Sequence, residues 1–248
     1  MAILVTRPQP DNDRTAQALR ARGFEVLAAP MLRFERLPGA VAPERDTAAV
    51  IVTSSSALRA LAGQQLADAL LQLPLFAVGE RTAEAARDIG FRQVVSAGGD
   101  AAALRDLLMA TVEARALTPG CTLLYLAGAD LARDLSSELG AAGFHVVTQT
   151  VYRMAAVAAL PDDVTAALAA GTVEAVLHYS RRSARAFFRA AGQDGVEIAA
   201  LAIPHYCLSN AIAAIAHEAG ASQVIAAASP DEDALFAALN RTVALQSR

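Results

Sequence analysis

The chain has 248 residues, of which 54% are hydrophobic and 19% charged, so it is long enough for one large α/β domain or two small ones. Its net charge of −4 argues against nucleic-acid binding through phosphate neutralisation. All 21 basic residues are arginine, which excludes a lysine Schiff base, pyridoxal phosphate chemistry and a Walker-type phosphate loop. Any bound anion must therefore be held by arginine, hydroxyl or backbone N–H groups.

The sequence also carries signals of cellular location. It begins without a charged leader and contains no 18-residue apolar span, so we expect a cytoplasmic protein that does not bind membranes. Cys121 and Cys207 lie in or beside apolar runs and are expected to be small buried groups in a reducing compartment.

Short β-rich runs alternate with helical patterns along the whole chain. The predicted strands span residues 3–5, 25–28, 49–53, 75–78, 93–95, 123–126, 145–148, 175–179, 203–208 and 223–226. The predicted helices between them span residues 13–22, 55–62, 81–89, 101–114, 131–142, 181–191, 210–219 and 231–243. Apolar strands separated by helices indicate parallel sheets covered on both faces, and ten strands in two sets of five fit two doubly wound, flavodoxin-like sheets.

The chain repeats itself at an offset that grows from about 120 to about 131 residues, as small loop insertions would produce. The run AVIVTS at 49–54 matches AVLHYS at 175–180, and FAVG at 76–79 matches YCLS at 206–209. A duplicated α/β chain is expected to build two similar lobes with a ligand cleft between them.

Two extended stretches, 30–38 and 149–155, interrupt the alternation. Each follows the second strand of its repeat, and the two can pair as an antiparallel connector between lobes. In that case each lobe mixes sequence from both copies. Two continuous halves are the alternative, and the residue pattern leaves both open.

Small hydroxyl residues and glycines follow the strands, where helices begin. In open parallel sheets ligands bind beyond the carboxyl ends of the strands, and helix starts present N–H groups that suit anions. Each such residue is alternatively a simple N-cap. Together, the residues that follow the strands predict a polyanionic ligand. Besides Arg7, they include Thr6, Thr53, Ser54, Gly79, Thr82, Ser96, Gly128, Ser180, Ser209 and Ser229.

Tyr152 is the best single candidate for catalysis. The sequence contains no G-x-S-x-G, H-E-x-x-H, C-x-x-C or G-x-G-x-x-G motif, and His145, His178, His205 and His217 lack ligand spacing. Tyr152 lies in the extended stretch 149–155, from which a phenol can donate a hydrogen bond to a leaving oxygen. A packing role for this tyrosine is the alternative.

The ordered motifs of the chain resemble those of the uroporphyrinogen-III synthase family over nearly the full length. They are ILVTRP at 3–8, VIVTSSSA at 50–57, FAVGERTAEAARDIGF at 76–91, LLYLAG at 123–128, TVYR at 150–153, HYSRRSA at 178–184, CLSNAIA at 207–213 and ASPDEDAL at 228–235. Each motif is loose, but their order and spacing together are specific.

The resemblance implies two α/β lobes, one from 1–35 plus 156–248 and one from 38–148, joined by connector strands at about 30–38 and 149–155. It implies that hydroxymethylbilane, a linear tetrapyrrole with eight carboxylates, loses its hydroxyl as water, inverts its last ring through a spiro intermediate and closes. It further implies no cofactor and no metal. A monomer is expected, with the enzyme that makes hydroxymethylbilane as a candidate protein partner.

The resemblance also implies residue roles. Tyr152 matches the tyrosine that assists hydroxyl loss, and Thr82 matches a threonine that lines the cleft. Gly79, Thr53 and Ser54 match strand-end positions that bind carboxylates, and Ser180 matches a serine of the other lobe. Arg7 is either a carboxylate partner or a member of a structural ion pair.

Two positions depart from the family pattern. Ser209 stands where the second lobe often has glycine, and Ile212 where it often has threonine. A second threonine contact is therefore in doubt, and Ser209 is the candidate replacement.

A bilobed cytoplasmic protein that binds a small polyanion is the alternative function. A Rossmann-type enzyme acting on a nucleotide or sugar phosphate is disfavoured by the missing glycine fingerprint.

Overall fold

The computed structural model describes residues 2–131 and 133–246, the last six as backbone only. The chain divides into two compact units. Unit 1 combines the residues up to Phe34 with those from Ala155 onward, and unit 2 comprises Glu35–Met154.

Strands and helices alternate along most of the chain. The strands are β1 (Ala2–Val5), β2 (Glu25–Ala28), β3 (Leu32–Arg36), β4 (Thr47–Val52), β5 (Leu75–Ala77), β6 (Val94–Ser96), β7 (Thr122–Gly128), β8 (His145–Ala156), β9 (Val173–His178), β10 (His205–Cys207) and β11 (Val224–Ala226). The helices are α1 (Asp11–Arg20), α2 (Ser55–Leu61), α3 (Asp68–Gln72), α4 (Glu80–Asp88), α5 (Ala101–Glu113), α6 (Leu135–Ala141), α7 (Asp162–Ala169), α8 (Arg181–Gln193), α9 (Glu197–Ala202), α10 (Asn210–Glu218) and α11 (Glu232–Gln246).

Unit 1 is built on a five-stranded sheet in the order β11-β10-β9-β1-β2, in which every neighbouring pair is parallel. Successive side chains of β1 enter different cores because a strand alternates its faces. Leu4 packs with Phe187 and Val176, whereas Ile3 and Val5 pack on the other face with helix α11 residues such as Leu235. Both faces are thus apolar and covered, as parallel sheets require.

The second sheet has six strands in the order β3-β8-β7-β4-β5-β6, and most of its residues belong to unit 2. The pairs from β8 to β6 are parallel. At the other edge the Leu37 N–H donates to the Val151 carbonyl at 3.0 Å, and Arg153 pairs with Glu35 at 2.6 Å. From the first of these contacts to the second, the residue number falls from 37 to 35 on one strand and rises from 151 to 153 on the other. Strand β3 therefore runs antiparallel to β8.

These sheets confirm the predicted α/β class with parallel strands. The ten predicted strands are present as five parallel strands in each sheet, and the sixth strand of the second sheet, β3, falls within the predicted extended stretch 30–38. The stretch 149–155 is not a separate element. It continues the predicted strand 145–148 as the single 12-residue β8, since no Gly, Pro, Asn or Asp interrupts it.

Three short helices, α3, α7 and α9, were not predicted. They have five, eight and six residues, too few for a clear 3.6-residue period. The predicted helix 131–142 begins only at Leu135 with Asp134 as its N-cap, and Ala132 of that prediction lies outside the described residues. Among residues 2–131 and 133–246, no helix has both the length and the apolar character to cross a bilayer.

Candidate active site

In unit 2 the predicted residues lie at the edge of one sheet where β4, β5 and β7 end. Tyr152 lies within β8, opposite the last residue of β7; Thr53 and Ser54 follow β4, and Gly79 and Thr82 begin α4 after β5. Neighbouring strands are about 4.8 Å apart, so the sheet brings these residues to one edge.

Tyr152 is half-buried and lies opposite Gly128 of β7. Its carbonyl accepts a hydrogen bond from the Ala129 N–H at 2.8 Å. An added Cβ on Gly128 would lie 2.7 Å from Cζ and 2.9 Å from Oη of Tyr152. The phenol therefore occupies space that only a glycine leaves open.

A second tyrosine reaches the same edge from within the sheet. Tyr125 of β7 is buried, and its hydroxyl lies 3.1 Å from Oγ1 of Thr53. Burial raises the pKa of the Tyr125 hydroxyl, and the neighbouring Tyr152 phenol adds to the rise. The neighbouring Ser54 caps α2, because its hydroxyl oxygen accepts the Ser56 N–H at 3.2 Å. Thr53 and Tyr125 thus form a hydroxyl pair beside a capped helix start.

Helix α4 begins differently from α2. Its N-cap is Gly79, which is extended and offers no side-chain cap. The first N–H groups of a helix have no intrahelical partner, and they carry the positive end of the helix dipole. Thr82, in the first turn, is 8% exposed and adds a hydroxyl to this helix start.

Unit 1 places its predicted residues at the matching edge of its own sheet. Ser180 caps α8 by accepting the Ser183 N–H at 3.0 Å. Ser209 precedes α10, and its side chain makes no capping hydrogen bond. Ile212 occupies the position in α10 that Thr82 occupies in α4, and it packs in an apolar cluster with Cys207. The two helix starts therefore share a backbone geometry but differ in side-chain chemistry.

Arg7 is held in a network inside unit 1. Its guanidinium lies 3.1 Å from Glu232 and 3.3 Å from Asp11, donates to the Thr15 hydroxyl at 2.9 Å, and stacks 4.4 Å from the ring centre of Tyr179. Of the two roles expected for Arg7, the structural ion pair is present. Glu232 also accepts from the Tyr179 hydroxyl at 2.8 Å, and burial raises the pKa of that phenol well above its usual range.

His178, the last residue of β9, and His205, the first residue of β10, form a fully buried pair in unit 1. Nε2 of His205 lies 2.9 Å from the Ala200 carbonyl, which can only accept, so this nitrogen carries a proton. Neutral His205 then accepts from Nε2 of His178 at 3.0 Å. The pair lies within the core. Within the described part of the chain, no three His, Cys, Asp or Glu side chains are placed to hold a metal ion.

Sequence reasoning missed the roles of Tyr125 and Glu232. A tyrosine within an apolar strand looks like ordinary core, and Glu232 looks like the first turn of a solvated helix. The local sequence does not show that the Tyr125 hydroxyl contacts Thr53. Nor does it show that the Glu232 carboxylate binds Thr15, Tyr179 and Arg7.

Comparison with known proteins gives consistent matches. The family model for uroporphyrinogen-III synthase HemD matches residues 13–237. A uroporphyrinogen-III synthetase from Helicobacter pylori is 17% identical, with a TM-score of 0.61 over 100% of this chain and 99% of that chain. A mutant uroporphyrinogen III synthase from the extremely thermophilic bacterium Thermus thermophilus is 17% identical, with a TM-score of 0.50 over 100% of both chains. At these identities the structural likeness concerns the fold; a search of curated proteins found no sequence match.

Proposed function

The chain belongs to the uroporphyrinogen-III synthase family, and on that premise we propose that it converts hydroxymethylbilane into uroporphyrinogen III in tetrapyrrole and haem biosynthesis. The observation that carries the proposal is the family match over residues 13–237. The hydroxyl of hydroxymethylbilane leaves as water, the last ring inverts through a spiro intermediate, and the macrocycle closes. The reaction is that of a cyclising lyase that uses no cofactor.

Tyr152 assists the first step. The electron-rich pyrrole expels the hydroxyl, and a phenol that donates to the departing oxygen helps it to leave as water. The position of Tyr152 at the carboxyl edge of a parallel sheet supports this role, because ligands of such sheets bind at that edge. The ring that results is reactive, so the remaining task of the protein is to hold it in the geometry of the inverted product.

The eight carboxylates of the substrate bind to hydroxyl and N–H groups. In unit 2 these belong to Thr53, Ser54, Gly79 and Thr82, and the uncapped start of α4 supports this assignment. In unit 1 they belong to Ser180 and Ser209. Ser209 supplies the hydroxyl group that a threonine at position 212 would supply, since this chain has Ile212 there. Arg7 adds one guanidinium group, and its ion pairs with Glu232 and Asp11 weaken its attraction for a substrate carboxylate.

Each unit is a flavodoxin-like lobe, and β3 with the later part of β8 forms the connector; the lobes are 1–35 plus 156–248 and 38–148. The order β2-β1-β9-β10-β11 supports this, since it is the flavodoxin order 2-1-3-4-5 when the strands are counted within the unit. The protein acts as a cytoplasmic monomer and receives its unstable substrate from the enzyme that makes it.

One experiment tests the function directly. Freshly made hydroxymethylbilane is supplied to the protein, the products are oxidised to porphyrins, and the ring isomers are separated by chromatography. We expect the III isomer to exceed the level in a control without protein, in which the chain closes without inversion. A product mixture equal to the control would refute the synthase and leave binding of a polyanion as the alternative.

A further inference from the structure

Tyr152 is placed by a bulge in its own strand and by the glycine that lies opposite it. We propose that Gly128 is a positioning residue that holds the Tyr152 phenol at the carboxyl edge of the unit 2 sheet. The inference rests on the role of Tyr152 in the proposed function, but the placement of the phenol is measurable without any substrate.

The backbone turns Tyr152 towards Gly128. Along most of the pair, β7 and β8 advance together, with Leu126 opposite Gln149 and Ala127 opposite Thr150. The next residue of β7, Gly128, lies opposite Tyr152, so β8 contains one extra residue at this point. Such a bulge changes the face to which the following side chain points, and bulges are common beside active sites. The bulge therefore directs the phenol over β7.

Gly128 then provides the space. A Cβ there would approach Cζ, Oη and Cε1 of Tyr152 to 2.7, 2.9 and 3.1 Å, distances that carbon atoms do not adopt without a shift. All three contacts are with the far end of one side chain, so alanine at this position moves the phenol while the sheet stays in place. The backbone of Gly128 needs no left-handed conformation, and the requirement for glycine comes from the phenol alone.

Gly128→Ala is the first test. We expect kcat for the III isomer to fall at least about 10-fold, towards the value of Tyr152→Phe, with little change in KM. In the double variant Gly128→Ala with Tyr152→Phe, the glycine change should add little, because its effect acts through the phenol. Gly140→Ala in α6 is the matched control, since a Cβ there meets nothing within 4 Å.

A spectroscopic readout follows the phenol itself. The chain has four tyrosines and no tryptophan, so labelling tyrosine with carbon-13 at Cζ gives four resonances, and Tyr152→Phe identifies one of them. We expect this resonance to shift in Gly128→Ala and to stay in place in Gly140→Ala. Should Gly128→Ala not fold, the double variant Gly128→Ala with Tyr152→Ala provides a second test, because it lacks the phenol that the new Cβ would contact, and we expect it to fold as Tyr152→Ala does.

The two proposals fail in different ways. If the Tyr152 resonance is unmoved in Gly128→Ala, or if Gly128→Ala also prevents Tyr152→Ala from folding, the positioning inference is wrong whatever the activity. If the resonance shifts but Tyr152→Phe turns over normally, the placement is right and the catalytic role of Tyr152 is wrong. A kcat for Gly128→Ala equal to that of Gly140→Ala, with Tyr152→Phe impaired, also overturns the inference.

Discussion

Nε2 of His178 lies 3.0 Å from Nδ1 of His205, and neither residue is exposed to solvent. The rings of Phe187 and Phe188 surround the pair. Burial lowers the pKa of His178 well below its ordinary value of 6.5, and the neighbouring His205 adds to this. Burial also lowers the pKa of His205 to about 4. Both side chains are therefore neutral in the folded protein at pH 7.

This pair makes stability depend on pH. Between pH 6.5 and about 4 the unfolded chain binds protons that the folded protein does not, so the free energy of unfolding falls as the pH falls. Each histidine contributes a slope of about 1.4 kcal/mol per pH unit within this window. We expect His205→Gln to reduce the slope by roughly that amount, measured by urea denaturation at a series of pH values. Exposed His217 is the control, and a slope equally reduced in His217→Gln would contradict the assignment.

Tyr152→Phe removes the phenolic hydroxyl and keeps the ring. We expect turnover to the III isomer to fall by roughly 10–1,000-fold, the range for loss of one acid or hydrogen-bond donor in a transition state. Thr150→Val removes a hydroxyl from an exposed position on the same strand and should leave turnover near that of the parent protein. Unchanged turnover in Tyr152→Phe would remove this residue from the mechanism.

The position of Tyr152 illustrates what the sequence could predict. Alternation of apolar strands and helices was sufficient to predict the parallel sheets, because that pattern determines which faces are buried. The pattern predicts extended backbone through residue 152, but it could not show that a bulge directs the phenol over Gly128, since the bulge depends on pairing with β7. Likewise, the hydroxyl of Tyr125 meets Thr53 only because two strands distant in sequence lie side by side.

Arg7 and Glu232 are expected to stabilise the fold of unit 1. Their pair is partly exposed, with side-chain exposures of 22% and 37%, so solvent weakens it. A double-mutant cycle with Arg7→Gln and Glu232→Gln should give a coupling energy of roughly 1 kcal/mol from urea denaturation. If Arg7 instead served chiefly as a substrate ligand, the coupling would be near zero and Arg7→Gln would mainly raise KM.

Thr82 and Ile212 occupy the same place in the first turn of two similar helices, yet only Thr82 carries a hydroxyl. If that hydroxyl binds a substrate carboxylate, Thr82→Val keeps the shape of the side chain and loses a bond to a charged group. Such bonds contribute about 1.5–3 kcal/mol, so KM should rise roughly 10-fold or more. Thr111→Val, whose hydroxyl bonds the Leu107 carbonyl within α5, is the control and should leave KM unchanged.

The reverse change at Ile212 should behave differently. Ile212→Thr places a hydroxyl in a cluster of apolar side chains that includes Cys207, and burial of an unpaired polar group costs about 1–3 kcal/mol. We therefore expect a lower free energy of unfolding in urea and no fall in KM. Ile212→Val, which removes one methylene and adds no polar atom, should cost about 0.5–1.5 kcal/mol. A fall in KM for Ile212→Thr would show instead that the side chain at position 212 reaches the substrate, and that Ser209 does not replace the second threonine.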